Sequence, residues 1–220
     1  MRRVKLTAGR RVLRHRRQRP TLVIGLTGSI AMGKSTAAAL LKQLGIPVFD
    51  ADAVVHRLLG PGGKALPAIA KRFPGVVGKG GVDRKALGAK VFADAGALKD
   101  LEAITHPLVG EARGHFLAQA GLRRDGIVAL DVPLLFEGTT RHLYDAVVVV
   151  SAPAFLQRQR ALARAAMTPA RLKGILARQW PDARKRAQAD AVIPSSLGKR
   201  ETLRRLQQVL TLLNAKRHHT

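Results

Sequence analysis

The eight residues Gly28-Ser29-Ile30-Ala31-Met32-Gly33-Lys34-Ser35 follow the apolar run Leu22-Val23-Ile24-Gly25-Leu26 and precede a helix-like stretch over 36–44. Two glycines and a Lys-Ser pair at this spacing, between a strand and a helix, leave few folds open. The glycines let the turn bring backbone N–H groups toward an anion, and the following helix points its positive end the same way. A lysine at the seventh position reaches β- and γ-phosphates, and a hydroxyl at the eighth ligates Mg²⁺. Gly28 through Thr36 therefore reads as the cradle of a nucleoside triphosphate, with Lys34 as its cation and Ser35 as a metal ligand.

The rest of the chain sets the scale. Its 220 residues, 46% hydrophobic, suffice for one α/β core with insertions but hardly for two large ones. Absence of cysteine excludes disulfides and thiolate metal sites, and no apolar run approaches the roughly 20 residues of a membrane helix. A cytoplasmic protein is expected. Residues 1–20 hold Arg2, Arg3, Lys5, Arg10, Arg11, Arg14, Arg16, Arg17 and Arg19 and no acid, which reads as a basic, disordered leader outside the core. Its apolar content is too short for a secretory signal, leaving a transit peptide or an upstream start as readings. Overall, 39 Lys and Arg against 14 acids give a net charge of +25, which attracts polyanions: phosphorylated metabolites or nucleic acid.

Strand-like runs fall at 21–26, 47–49, 127–131, 145–150 and 191–194, with helical patterns between them. Such alternation predicts a parallel sheet flanked by helices, with the ligand at the carboxyl ends of the strands. The nucleotide-binding core is expected over 21–53, 125–152 and 188–220. A helix-rich insertion over 54–124 has room for a second substrate. The stretch 153–187, with nine basic residues against Asp182, falls where a basic mobile lid would lie. Trp180 within it suits lid packing or base stacking.

Asparagine occurs once, at Asn214, so the Asn-Lys-x-Asp guanine-selecting motif is missing and a GTPase is disfavoured. A metabolite kinase instead needs an acid near the strand ends, and Asp50-Ala51-Asp52 follows the second strand. If the strand continued, both carboxylates would point one way, toward the phosphate site. Helix capping is the competing role for Asp52. Asp131 could be a carboxylate near Mg²⁺ or a buried hydrogen-bonded group. His106 before Pro107 either contacts substrate or marks the end of one helix and the start of another, and Glu137 either lines the pocket or caps a loop.

These residues together resemble one family. Leu26-Thr27-Gly28-Ser29-Ile30, Asp50-Ala51-Asp52 with His56, Thr105-His106-Pro107-Leu108-Val109 and Val132-Pro133-Leu134-Leu135-Phe136-Glu137 occur in the order found in dephospho-CoA kinases. Arg160, Arg164, Gln179 and Ala189-Asp190-Ala191-Val192-Ile193 continue the match, which spans about 22–210. The resemblance implies a P-loop kinase fold and ATP-dependent phosphorylation of the ribose 3′-hydroxyl of dephospho-coenzyme A, with ATP and Mg²⁺ as cofactors. It implies that Asp52 contacts that hydroxyl, that Asp50 orients Mg²⁺ through water, and that Arg160 and Arg164 close on the phosphates. His106 and Glu137 are then the further substrate candidates.

Two segments depart from the family pattern. Ala31 stands where glycine is usual, which at positive φ costs on the order of 1 kcal/mol. Pro194-Ser195 replaces an Asp-Asn pair near the expected adenine site. The competing functions are a P-loop kinase of another hydroxylated metabolite and a nucleic-acid-stimulated ATPase.

Overall fold

A five-stranded sheet in the order β2-β5-β1-β6-β7 organises the computed structural model, which describes residues 21–138 and 140–218. The expected basic leader lies outside the described residues. The strands are β1 (Leu22–Thr27), β2 (Val48–Asp50), β5 (Ile127–Asp131), β6 (Ala146–Ser151) and β7 (Ala191–Pro194). The ladders β1/β5, β1/β6 and β6/β7 are parallel, as alternating strands and helices predict. Every residue of β5 and β6 is buried, the mark of strands covered on both faces.

One face of this sheet carries Ile24, Leu26, Val148, Val150 and Ile193, packed against Leu40 and Leu41 of α1 (Lys34–Gln43) and Leu206, Val209 and Leu213 of α9 (Gly198–His218). On the other face Leu135 and Tyr144 sit so close to Gly25 that an added Cβ would come 2.5 Å from the Leu135 side chain. Two acids start strands. The Asp145 carboxylate accepts the Val23 N–H at 2.6 Å, and that of Asp190 accepts the Val147 N–H at 2.7 Å and pairs with Arg141. Asp145 therefore precedes β6 rather than opening it, and the expected strand over 145–150 moves one residue on. The first strand likewise ends at Thr27, not Leu26: Thr27 is buried because its hydroxyl donates to the Pro133 carbonyl at 3.2 Å.

Among the described residues, 21–49 together with those from Ala120 onward form one compact unit, and Asp50–Gln119 forms a second. The first also contains α6 (Ala154–Leu162), α7 (Pro169–Ala177) and α8 (Asp182–Gln188), which occupy the stretch expected as a basic lid. The second contains α2 (Ala51–Leu58), α3 (Leu66–Arg72), the two-residue strands β3 (Val77–Gly78) and β4 (Gly81–Val82), and α4 (Arg84–Ala93). It also holds most of α5 (Ala95–Leu122). Ile69, Phe73 and Val76 are buried there, and Arg72 pairs with Asp100 at 2.6 Å. Helix α5 runs unbroken through Pro107, so His106-Pro107 does not divide two helices. Proline removes one helical N–H, a local loss that the 28 residues of α5 absorb.

Candidate active site

The cradle begins where β1 ends. An added Cβ at Gly28 would lie 2.6 Å from the Val150 carbonyl oxygen, so only glycine lets the loop leave the sheet beside β6. The Met32 N–H then returns to the Ser29 carbonyl at 3.1 Å, closing a turn. Gly33, at φ 93°, is the N-cap of α1, which therefore begins at Lys34 rather than Thr36. No side chain caps this helix, and its first turn holds no acid. Its leading N–H groups are thus left for an anion. Lys34 ion-pairs with Asp131 at the end of β5. Ser35 is exposed one residue further on.

Ala31 does adopt a left-handed conformation, at φ 60°. Its methyl group is buried, however, with Ile30 alongside, against Ala161, Leu162, Met167, Leu172 and Leu176 of the α6–α7 region. This packing offsets the strain. The Ile30 peptide is bonded at both ends: its N–H donates to Gln179 Oε1 at 3.0 Å and its carbonyl accepts from Gln157 Nε2 at 2.9 Å. Ser195, at the departure from the family pattern, donates its hydroxyl to the Met32 carbonyl at 2.7 Å. Arg160 holds Ser195 through its hydroxyl at 3.0 Å and its carbonyl at 2.9 Å. Arg164 is exposed.

Glu137 is engaged within the first unit. Its Oε1 accepts the Trp180 backbone N–H at 2.6 Å and lies 2.9 Å from the buried Nζ of Lys185. Trp180 stacks on Phe136, ring centroids 5.7 Å apart, while the Arg184 guanidinium lies 3.5 Å from the Trp180 ring centroid. That geometry packs the turn between α7 and α8 against the loop after β5.

The acids of the second unit do not follow strand alternation, because β2 stops at Asp50 and α2 starts immediately. Asp50 is the N-cap, its Oδ1 accepting the Ala53 N–H at 2.9 Å, and Asp52 falls in the first turn. Capping is thus carried by Asp50, leaving the Asp52 carboxylate exposed. Both nevertheless line one pocket of about 660 Å³ with His56, Arg57 and Arg84. His106 is exposed on α5. Among the described residues, no group of three His, Cys, Asp or Glu side chains could hold a metal ion by itself, so a hard cation here would take most of its ligands from phosphate and water.

Sequence reading missed Gln157 and Lys185. Gln157 occupies the buried stripe of α6 one turn before Ala161, and a polar side chain at a core position is the signal that could have revealed it.

A parallel sheet whose first strand leads through a glycine turn into an uncapped helix, with a lysine at its first position, defines a P-loop protein of the kinase-like kind. Comparison with known proteins narrows this. The dephospho-CoA kinase family model matches residues 22–200. A dephospho-CoA kinase of Paramagnetospirillum magneticum is 59% identical over 74% of this chain and 77% of its own length. One from Rhodospirillum rubrum is 55% identical over 87% and 91%. The crystal structure of TT1252 from Thermus thermophilus superposes with a TM-score of 0.77 at 34% identity, covering 88% of this chain and 98% of that one. The chain belongs to the dephospho-CoA kinase family.

Proposed function

We propose that the chain transfers the γ-phosphoryl group of ATP to the ribose 3′-hydroxyl of dephospho-coenzyme A, giving coenzyme A and ADP. The observation that carries this reading is the uncapped start of α1 with Lys34 in place, in a chain of this family. Phosphoryl transfer has a loose transition state, so positioning and charge balance outweigh covalent chemistry. The N–H groups of the loop and of the first turn of α1 would hold the phosphates. Lys34 would balance charge on the transferring group, with Asp131 fixing its ammonium. Ser35 would ligate Mg²⁺, with Asp50 reaching it through water; when bound, the ion neutralises charge on the phosphate oxygens.

Asp52, exposed and not used as a cap, would accept a hydrogen bond from the attacking hydroxyl, aim its oxygen and take its proton late. His106 would contact the same substrate. Glu137 would line the substrate pocket. Arg160 and Arg164 would approach the phosphates from α6 and the turn after it. No helix among the described residues is long and apolar enough to cross a membrane, and we place the activity in the cytoplasm.

The test is direct. The purified chain with Mg²⁺ and ATP should convert dephospho-coenzyme A to coenzyme A, and no other hydroxylated metabolite of a panel at a comparable rate. Asp52→Asn should lower kcat by about 100-fold or more while ADP affinity stays within about threefold. A variant within about twofold of wild-type kcat would remove Asp52 from the mechanism. ATP hydrolysis that rises on adding RNA, with steep salt dependence, would favour the nucleic-acid reading instead.

A further inference from the structure

We infer that Gln157 and Ser195 are positioning residues that aim two N–H groups of the phosphate loop, those of Ala31 and Gly33, at the bound nucleotide. This rests on the reading of Gly28–Ser35 as the ATP site. In a planar trans peptide the carbonyl of one residue and the N–H of the next point in opposite directions, and the described chain contains no cis peptide. Gln157 draws the Ile30 carbonyl toward α6 at 2.9 Å, so the Ala31 N–H faces away from α6. Ser195 draws the Met32 carbonyl to itself at 2.7 Å, so the Gly33 N–H faces away from β7. Two alternate carbonyls are tied, and the N–H that follows each is turned away from its tie.

The loop needs such ties. Ala31 sits in a conformation that its own side chain disfavours, and strain of this kind persists only where surrounding contacts fix it. Gln179 adds a brace by accepting the Ile30 N–H at 3.0 Å, which takes that donor out of the set available to phosphate. Gln157 is itself buried, so its amide is costly to leave unpaired. Ser195 is held in turn by Arg160, which ties the Pro194-Ser195 departure to the phosphate loop.

The full chain carrying Gln157→Met or Ser195→Ala should bind ADP with Mg²⁺ about three- to tenfold more weakly, the loss expected for one hydrogen bond. KM for dephospho-coenzyme A should stay within about twofold of wild type, a split that a general loss of structure would not give. In wild-type protein titrated with the same ADP and Mg²⁺, amide NMR should move the Ala31 and Gly33 resonances and leave that of Ile30 in place; this measurement also decides the matter should a variant fail to fold. Wild-type ADP affinity in both folded variants, or an Ile30 shift as large as that of Ala31, would overturn the inference while leaving the ATP site intact. Failure of wild-type chain to bind ADP at all would overturn both.

Discussion

The ammonium of Lys185, fully buried, lies 2.9 Å from the Glu137 carboxylate. Its angles fall short of a hydrogen bond, so charge attraction holds the pair. Removing one partner strands a charge where water does not reach it. Glu137→Ala should cost about 3–5 kcal/mol in urea unfolding. The double variant Glu137→Leu with Lys185→Met should recover most of that loss, since an apolar pair of similar volume carries no stranded charge. If the double variant is as unstable as the single, the Trp180 N–H, not the ion pair, dominates this contact.

Gly28→Ala places a methyl carbon against a backbone oxygen of β6 that has no rotamer in which to retreat. Destabilisation of about 1–3 kcal/mol is expected, the range for overpacking, together with weaker ADP binding measured by calorimetry. Unchanged values for both would mean that the loop leaves the sheet with more clearance than its 2.6 Å contact implies.

Ala31→Gly sets three effects against each other. Relief of left-handed strain returns about 1 kcal/mol, loss of a buried methyl removes about 0.8 kcal/mol, and added freedom in the unfolded chain removes about 0.5 kcal/mol more. The net change in unfolding free energy should lie within about 1 kcal/mol of zero. Ala31→Val, whose branched side chain disfavours φ 60° far more strongly, should be clearly destabilising in the same assay.

Glu201 is gripped by Arg204 at 2.7 Å and Arg205 at 2.8 Å near the start of α9. The hydrogen bond from Arg204, and then that from Arg205, lowers its pKa from 4.5 to about 2. A carboxyl whose pKa is lower folded than unfolded binds protons more readily when unfolded, so its contribution to stability is complete above about 4.5 and is lost as pH falls toward 2. Wild type should therefore melt above Glu201→Gln at pH 6, and the gap should close on acidification across that window. A gap independent of pH would assign the effect to helix propensity. The pair lies at the surface, where solvent screens it, so the gap at its widest should be small.

Much of the fold was legible because its signals are local. The runs Ile127–Asp131 and Ala191–Pro194 carry strand patterns bounded by turn residues, and both strands lie where those patterns end. The cradle was legible too, since its chemistry is fixed by spacing within eight residues. What escaped were contacts between distant parts of the chain. Gln157 and Ile30 are 127 positions apart, Gln179 and Ile30 149, and Ser195 and Met32 163; such pairs leave no periodic trace. The shared direction expected of Asp50 and Asp52 was misjudged for a different reason. Their alternation assumed a strand where the Asp50 side chain itself starts a helix. Pro107 misled because its missing N–H argues for a helix end, a local penalty that the rest of α5 outweighs.

The sheet's outermost strands, β2 and β7, are three and four residues long, and β7 closes on Pro194. An imino nitrogen cannot donate, so an incoming foreign strand would find one rung of its ladder missing at that margin and scarcely any template at the other. The proline that breaks the family pattern thus also denies that margin a ladder donor to any strand of a second copy.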